Sequence, residues 1–285
     1  LRKQIAAFEA EGVEFRTGTE IDKGALAVLQ TTHDAVFVAA GAWQETSAGI
    51  SGEECLLPGT EVLRSAELEA MKGKTVGVIG GGNTAIDVAR SLLRVGAKPI
   101  IYYRRTREEM PALAEEVAKA EEEGVRFEFL TSPVAAAAEE GAVELTCCRM
   151  ELGEPDASGR PRPVKVEGSE FEVQCDAVLK AIVEKPDYTL LPAGMVDEKN
   201  RLKIDESTHA LGAGVFAGGD FVTGPATVAQ ATNAGRDAAR GIDRFLTGRT
   251  VEDEAAPVCR FGEDFDGSCL EQSSRVLPPE LSVEE

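Results

Sequence analysis

The sequence predicts an α/β protein with parallel, doubly wound sheet. Two observations carry this prediction. Strands alternate with amphipathic helices along the middle of the chain, and at two places a buried strand runs into a cluster of glycines that precedes a helix. At 285 residues the chain is long enough for about two domains.

The elements before the first glycine cluster are predicted from the spacing of apolar residues. A helix is predicted over Leu1–Ala10 and a short strand over Val13–Arg16. The unbroken apolar run Asp34–Ala40 predicts a strand that is buried on both faces. Residues 49–59 are rich in glycine and proline, so we expect a linker there, followed by a weak helix over Arg64–Met71.

The central part of the chain alternates strands and helices. Glycines close each predicted helix, and a proline is tolerated in the first turn of the second one. The predicted elements are a strand Thr75–Ile79, a turn Gly80–Gly82, a helix Asn83–Val95, a strand Pro99–Tyr103 and a helix Glu108–Glu123.

The next segment changes to short strands, which we expect to form an antiparallel meander attached to the parallel sheet. Its predicted strands are Val125–Leu130, Val143–Met150, Pro163–Val166, Glu170–Cys175 and Asp176–Val183, with a polar loop at Gly153–Arg162.

The carboxyl-terminal part repeats the strand–glycine–helix pattern. A strand over Gly214–Ala217 leads to a helix over Pro225–Leu246, for which Thr223 or Gly224 is the expected cap. Residues 250–285 are acidic and carry no periodic apolar pattern, so we expect extended or poorly ordered chain.

Charge and composition exclude several classes of function. With 30 Lys and Arg against 50 Asp and Glu, the net charge is −20, which argues against a general affinity for nucleic acid or an anionic membrane. No apolar stretch approaches the roughly 20 residues of a membrane helix, and no signal peptide is recognised. The six cysteines contain no C-x-x-C, and we expect a cytoplasmic protein in which the adjacent Cys147 and Cys148 are structural.

The first glycine turn has the spacing of a dinucleotide-binding motif. Gly80 and Gly82 allow a tight turn and a close approach of backbone N–H groups to a diphosphate, and Ala85 allows close packing of helix and strand. The positive end of the following helix stabilises the negative charge of the diphosphate. The alternative is a glycine-rich turn that serves packing alone.

The residues after the second strand of this unit indicate which dinucleotide is bound. An NAD site usually has an acidic residue there, whereas this chain has Arg104 and Arg105, with Arg107 close behind. Guanidinium groups suit a 2′-phosphate by charge and by bidentate geometry, so NADP(H) is expected. The alternative is that these arginines pair with Glu108, Glu109 or other surface acids.

The second glycine turn carries one carboxylate, Asp220, immediately after Gly219. An aspartate at such a position also serves simply to cap a helix, and that alternative stays open on these residues alone.

Four segments taken in order resemble one family. GGGNTAIDVAR, YRRTREEMPA, RMELGEPDASGR and GVFAGGDFVTGPATVAQATNAGRDAARGID are similar to the small (beta) subunit of NADPH-dependent glutamate synthase and to the NADPH-binding flavoprotein subunits of ferredoxin-linked oxidoreductases. This resemblance covers roughly residues 1–248. It implies two dinucleotide-binding, Rossmann-like domains, with the NADP domain inserted in the FAD domain.

The resemblance also implies a division of the chain by cofactor. Residues 1–66 and 197–249 would be parts of an FAD-binding domain, 67–196 an NADP-binding domain with the meander, and 250–285 an acidic tail. We expect the chain to begin after the FAD domain's own first glycine turn and after a cysteine-rich iron–sulfur region.

The resemblance assigns roles to individual residues. For NADP(H) these are Gly80, Gly81, Gly82, Asn83 and Thr84 at the diphosphate, and Arg104 and Arg105 at the 2′-phosphate. For FAD they are Gly41, Gly219 and Asp220, together with Ala226 and Thr227, whose backbone N–H groups would face the flavin at a helix N-terminus.

The expected activity is hydride transfer from NADPH to FAD, with electrons passing on to iron–sulfur clusters in the missing region or in a partner. That partner would be a larger catalytic subunit or a ferredoxin-type acceptor. Two alternatives stay open: the same flavoprotein in a ferredoxin-linked transhydrogenase or a formate dehydrogenase or hydrogenase complex, and an NADP-binding module without catalysis. The chain has Val183 and Glu184 where such relatives have Gly and Gln.

Overall fold

The computed structural model describes residues 2–155, 159–192 and 194–249. The acidic tail and Leu1 lie outside the described residues. The helices are α1 (Arg2–Ala10), α2 (Lys23–Thr32), α3 (Gly59–Arg64), α4 (Asn83–Arg94), α5 (Ala114–Glu123), α6 (Asp220–Thr223) and α7 (Val228–Thr247). The strands are β1 (Val36–Val38), β2 (Leu57–Pro58), β3 (Thr75–Ile79), β4 (Lys98–Tyr103), β5 (Arg126–Phe129), β6 (Thr131–Glu139), β7 (Ala142–Pro155), β8 (Pro161–Lys165), β9 (Phe171–Cys175), β10 (Ala177–Lys180), β11 (Ala210–Gly212) and β12 (Val215–Ala217).

The described chain divides into two compact units. The central unit is Glu45–Glu184, and the outer unit combines the residues up to Gln44 with those from Lys185 onward. One unit is therefore inserted into the other. The boundaries between these two units lie at 44/45 and 184/185. Both come earlier in the chain than the boundaries predicted between the FAD-binding and NADP-binding domains, 66/67 and 196/197. The division by cofactor stays a prediction.

The central unit contains a five-stranded parallel sheet in the order β2-β10-β3-β4-β5. Its strands are apolar because both faces are covered, as in a doubly wound sheet. Val76, Val78 and Leu179 are fully buried, and Ile86 and Ala89 of α4 belong to the same core. The predicted β3 and α4 are confirmed, with α4 ending at Arg94.

The second sheet of this unit is antiparallel: β7 pairs with β6, β8 and β9. The meander is thus confirmed, but its predicted membership was wrong at both ends. Val125–Leu130 and Asp176–Val183 contribute β5 and β10 to the parallel sheet instead, because β10 lies between β2 and β3, where it is buried on both faces. The alanine-rich β6 was missed, since alanine favours helix and only the pairing with β7 makes this segment a strand.

The outer unit contains a small sheet in which β1 pairs with β12 in parallel and β11 pairs with β12 antiparallel. The predicted strand Val13–Arg16 was wrong, because these exposed residues have no pairing strand. The run Asp34–Ala40 forms only β1, whose Phe37 is 38% exposed and therefore not buried on both faces. Helix α2 was missed; the side chain of Asp22 caps it by accepting a hydrogen bond from Ala25 N at 2.7 Å.

Three helix boundaries differ from the predictions. The weak helix expected at Arg64–Met71 is replaced by the earlier α3 and a short 3₁₀ turn at Glu69–Met71. The helix predicted from Glu108 begins only at Ala114, because residues 106–113 are held in a loop by tertiary hydrogen bonds described below. Helix α7 begins at Val228, and its cap is Thr227 rather than Thr223 or Gly224.

A close backbone contact fixes the connection into the parallel sheet and provides a prediction. A Cβ atom on Gly52 would lie 1.7 Å from the carbonyl oxygen of Ala136 on β6, and Gly52 has φ +75°. Gly49 has a similar φ of +70°, but a Cβ there would meet no atom within 4 Å. We expect Gly49→Ala to cost only the left-handed strain, roughly 1–2 kcal/mol. Gly52→Ala should cost roughly 1–3 kcal/mol more because of the overlap. Urea unfolding of both variants checks this; equal losses would contradict it.

Candidate dinucleotide-binding site

The glycine turn between β3 and α4 is clamped on two sides by the protein. A Cβ on Gly80 would lie 2.3 Å from the carbonyl oxygen of Ala181, which follows β10. A Cβ on Gly81 would lie 2.3 Å from the ring of Tyr103, at the end of β4. Ala85 packs against Gly80 at 3.2 Å from the same ideal Cβ position, which is the close packing of helix and strand that the motif predicts.

The third glycine differs, because a Cβ on Gly82 would meet no atom within 4 Å. Gly82 is the N-cap of α4 and supplies no side-chain hydrogen bond to the first turn. Its carbonyl oxygen accepts from Ala85 N and Ile86 N, as the helix requires. The N–H groups of Asn83 and Thr84 are therefore at an uncapped helix start that opens onto free space. A diphosphate suits this position both as a cap and as a counter-charge to the helix dipole.

A loop after β4 is fastened to this turn. The N–H of Ala112 donates to Gly81 O at 3.2 Å, and the N–H of Leu113 donates to Asn83 Oδ1 at 2.9 Å. The hydroxyl of Tyr103 donates to Glu109 O at 2.7 Å. These contacts delay the start of α5, and they show that the Asn83 side chain positions the loop, while its backbone N–H belongs to the uncapped helix start.

The three arginines at the start of this loop have different surroundings. Arg105 is buried, with 4% of its surface exposed, and its Nε donates to Pro161 O at 2.8 Å. Arg107 forms a two-nitrogen contact with Glu121, with Nη2 to Oε2 at 2.9 Å. Arg104 is exposed and, within the described part of the chain, makes no hydrogen bond or ion pair. The alternative that these arginines pair with surface acids rather than with a phosphate therefore holds for Arg107. Its partner is Glu121 and not Glu108 or Glu109.

A cleft lies on the other side of the glycine turn, at the carboxyl ends of β2 and β10, and holds about 280 Å³ of empty space, part of it open to solvent. The hydroxyl of Thr60 donates to Glu184 Oε1 at 2.9 Å, and the hydroxyl of Thr46 donates to Val183 O at 2.6 Å. Sequence reasoning did not bring these residues together, because they come from four separate segments, of which only Thr84 belongs to the glycine motif. Its lining includes Thr46, Thr60, Thr84, Lys180, Ile182 and Glu184.

Lys180 closes the floor of the cleft. Its side chain is 12% exposed, and its Nζ lies 2.9 Å from carboxylate oxygens of Glu45 and Glu53. Glu53 also accepts hydrogen bonds from the hydroxyl of Ser47 and the N–H of Ala48. The pKa of Glu53 is lowered to about 2 by these hydrogen bonds. The Ser47 hydroxyl has the largest effect, followed by Lys180 and the backbone N–H groups. This carboxylate is therefore charged at neutral pH and has a structural role.

The residues expected to contact FAD lie in the outer unit. Because β1 and β12 are parallel, Gly41 (φ +76°) and Gly219 (φ +64°) follow strand ends at the same edge of the sheet. Asp220 Oδ1 accepts from Ala226 N at 3.2 Å, and Thr227 N donates to Gln230 Oε1 at 3.0 Å in a capping box. The glycines thus fit a cofactor edge, whereas the two N–H groups expected to face a flavin are engaged within the chain. Their assignment to FAD stays a prediction.

Residues 2–235 match the family model described as pyridine nucleotide-disulphide oxidoreductase. The chain belongs to this family. Among curated proteins, it is 43% identical over 270 residues to the NADP(+)-dependent formate dehydrogenase subunit beta of Moorella thermoacetica, covering 89% of this chain and 38% of that protein. It is 39% identical to the NADPH-Fe(3+) oxidoreductase subunit beta of Geobacter sulfurreducens, covering 86% and 42%. It is 35% identical to the glutamate synthase [NADPH] small chain of Escherichia coli, covering 86% and 57%.

The solved structures show the same fold for this chain. FprA of Mycobacterium tuberculosis in complex with NADPH matches with a TM-score of 0.67 at 18% identity, over 81% of this chain and 67% of FprA. Lactococcus lactis thioredoxin reductase matches with a TM-score of 0.60 at 18% identity, over 75% and 67%. The expected fold class and the resemblance to glutamate synthase small subunits are confirmed. The chain spans about two-fifths of the length of the first two curated relatives.

The family's name refers to disulphides, so the surroundings of the described thiols matter. Cys147, Cys148 and Cys175 are buried and free. Burial foremost raises the pKa of Cys147 to about 12, which keeps this thiol protonated and unreactive. The structural role predicted for Cys147 and Cys148 agrees with this burial, while Cys259 and Cys269 lie outside the described residues. In the same part of the chain no helix is long and apolar enough to cross a membrane.

The hydrogen bonds of Glu53 predict how stability depends on pH. Because its pKa falls from the ordinary 4.5 to about 2, Glu53 stabilises the fold above pH 4.5, and this contribution is lost as the pH falls toward 2. We expect Glu53→Gln to lose about 1.5–3 kcal/mol at pH 7. The difference from wild type should shrink between pH 4.5 and 2 in denaturant unfolding. Glu54→Gln, at the exposed neighbour, is the control; a loss for Glu53→Gln that does not change with pH would sink the assignment.

The different surroundings of Arg105 and Arg104 predict that Arg105 stabilises the fold and that Arg104 does not. Arg105→Met should lower the free energy of unfolding by about 1.5–3 kcal/mol, because the Pro161 carbonyl loses the charged donor that the buried guanidinium supplies. Arg104→Met, the matched exposed variant, should change it by no more than about 0.5 kcal/mol. Chemical denaturation of the two variants tests this, and a smaller loss for Arg105 than for Arg104 would contradict the structural role of Arg105.

Proposed function

We propose that the central unit binds NADP(H), with the diphosphate at the start of α4 and the adenosine 2′-phosphate at Arg104. The observation that carries this proposal is the uncapped helix start beside Gly82, with the loop of Arg104 fastened to the same turn. The diphosphate oxygens would accept hydrogen bonds from the backbone N–H groups of Asn83 and Thr84. The loop contacts hold Arg104 at a fixed position relative to them.

Arg104 is the preferred contact for the 2′-phosphate because its side chain has no acidic partner among the residues that the structure describes. The chain carries a net charge of −20, so an exposed guanidinium without a partner among those residues is a local exception. Arg105 would support this contact indirectly by fixing the end of β4. Arg104 pairing with a phosphate is the charge-assisted contact that separates NADP(H) from NAD(H).

We further propose that the chain is part of an FAD-dependent oxidoreductase subunit. FAD, when bound, supplies the hydride-accepting chemistry, and iron–sulfur clusters elsewhere in the protein or in a partner would carry the electrons onward. Support comes from the family and from three relatives, each of which is named as an NADP(+)- or NADPH-linked subunit of a larger enzyme. The residues described here bind and orient the dinucleotide, and no side-chain acid or base is needed for hydride transfer.

The partner is proposed to be a larger catalytic subunit or a ferredoxin-type acceptor in the cytoplasm. A formate dehydrogenase complex is favoured over glutamate synthase by one observation, the 43% identity to the formate dehydrogenase subunit against 35% to the glutamate synthase small chain. Purification of the native protein with its partner separates the two. A formate dehydrogenase complex should reduce NADP⁺ when formate is added, whereas a glutamate synthase should oxidise NADPH when glutamine and 2-oxoglutarate are added. A chain that binds NADPH but reduces no dye acceptor would support the module without catalysis.

Binding to Arg104 is tested by two variants with the same loss of charge. Arg104→Ala should weaken NADPH binding by about tenfold to a hundredfold, because a charge-assisted phosphate contact is lost. Its affinity for NADH, which lacks the 2′-phosphate, should not change. Arg107→Ala is the control, because Glu121 already neutralises Arg107. Isothermal titration calorimetry measures all four affinities, and an unchanged NADPH affinity for Arg104→Ala would overturn the assignment.

A further inference from the structure

The order of the strands sets the direction in which a bound dinucleotide crosses the sheet. Strand β3 has β4 on one side and β10, then β2, on the other. The loop of Arg104 follows β4, and the diphosphate position follows β3. With the adenosine end beside β4, the nicotinamide half would extend toward the carboxyl ends of β10 and β2.

The cleft described above lies at that edge. Thr84 in the first turn of α4 lines it, so the cleft is continuous with the diphosphate position. The remaining polar side chains of the cleft are supplied by β10 and α3 and by the segments that follow Gln44 and β10.

The charged side chains of the cleft differ in whether they have an ion-pair partner. Lys180 is neutralised by Glu45 and Glu53, each at 2.9 Å. Glu184 accepts a hydrogen bond from Thr60 and, among the described residues, has no ion pair. A carboxylate has about four acceptor positions, so Glu184 keeps capacity for further donors as well as its negative charge.

We propose that Thr60 and Glu184 receive the nicotinamide–ribose half of NADP(H), and that the charge of Glu184 sets the relative affinity for the oxidised and reduced forms. This inference rests on the proposed function. The nicotinamide ring is a cation in NADP⁺ and neutral in NADPH. A nearby carboxylate therefore stabilises the oxidised form selectively. Glu184 is thus a specificity-determining residue for the redox state of the dinucleotide.

Three probes separate the two halves of the ligand in the full chain. Adenosine 2′,5′-bisphosphate reports only the Arg104 side, whereas NADP⁺ and NADPH report both sides. We expect Glu184→Gln to leave affinity for adenosine 2′,5′-bisphosphate unchanged and to weaken NADP⁺ about five- to tenfold more than NADPH. Glu61→Gln, at an exposed position on α3, is the control for the change in net charge. Thr60→Val, which keeps the carboxylate, should weaken both dinucleotides to a similar extent.

The outcomes distinguish this inference from the proposed function. If wild-type chain does not bind adenosine 2′,5′-bisphosphate, the proposed function fails and the inference fails with it. If that ligand binds and Glu184→Gln leaves the ratio of NADP⁺ to NADPH affinity unchanged, only the role of Glu184 is overturned. A loss of adenosine 2′,5′-bisphosphate affinity in Glu184→Gln also overturns it, because the residue would then act through the fold.

Discussion

The close approach of Gly80 to the carbonyl oxygen of Ala181 is the constraint on which the central unit depends. Only a residue without a Cβ allows β3 to turn into α4 beside the end of β10, since a side-chain atom there would lie 2.3 Å from that oxygen. The ring of Tyr103 closes the turn from the other side. Among the described residues, the turn is open beside Gly82, where the helix start has no side-chain cap. Packing thus leaves room at the position proposed for the diphosphate.

The same turn organises charge in a strongly acidic chain. Hydrogen bonds from Ala112 and Leu113 fasten the end of the arginine loop to Gly81 and Asn83, and Tyr103, which directly precedes Arg104, lies against Gly81. Arg105 and Arg107 are used by the fold, through Pro161 and Glu121. Of the three arginines in four positions, Arg104 is therefore the one whose guanidinium is exposed and has no partner among the described residues.

Sequence reasoning succeeded where local pattern and tertiary structure agree. The unit β3, turn and α4 is specified by residues within one segment, and the glycine motif needs only its own strand and helix. It failed where distant pairing decides: β10 and the alanine-rich β6 take their sheet from their partners, and the start of α5 is set by hydrogen bonds to Asn83. The cleft was missed for the same reason: Glu184 was noted as a departure from relatives, but its position beside Thr60 and Lys180 depends on distant segments. Burial could not be inferred either, which is why Arg105 was grouped with Arg104 as a ligand contact.

The most direct test of the NADP(H) site is the ³¹P resonance of the 2′-phosphate of NADPH bound to the chain, followed over pH. The second pKa of a phosphate monoester is about 6 when free. A guanidinium in contact lowers it, so the bound 2′-phosphate should stay dianionic to well below pH 6, and the diphosphate resonances should also move. A bound 2′-phosphate that titrates as it does in free NADPH would contradict the contact with Arg104.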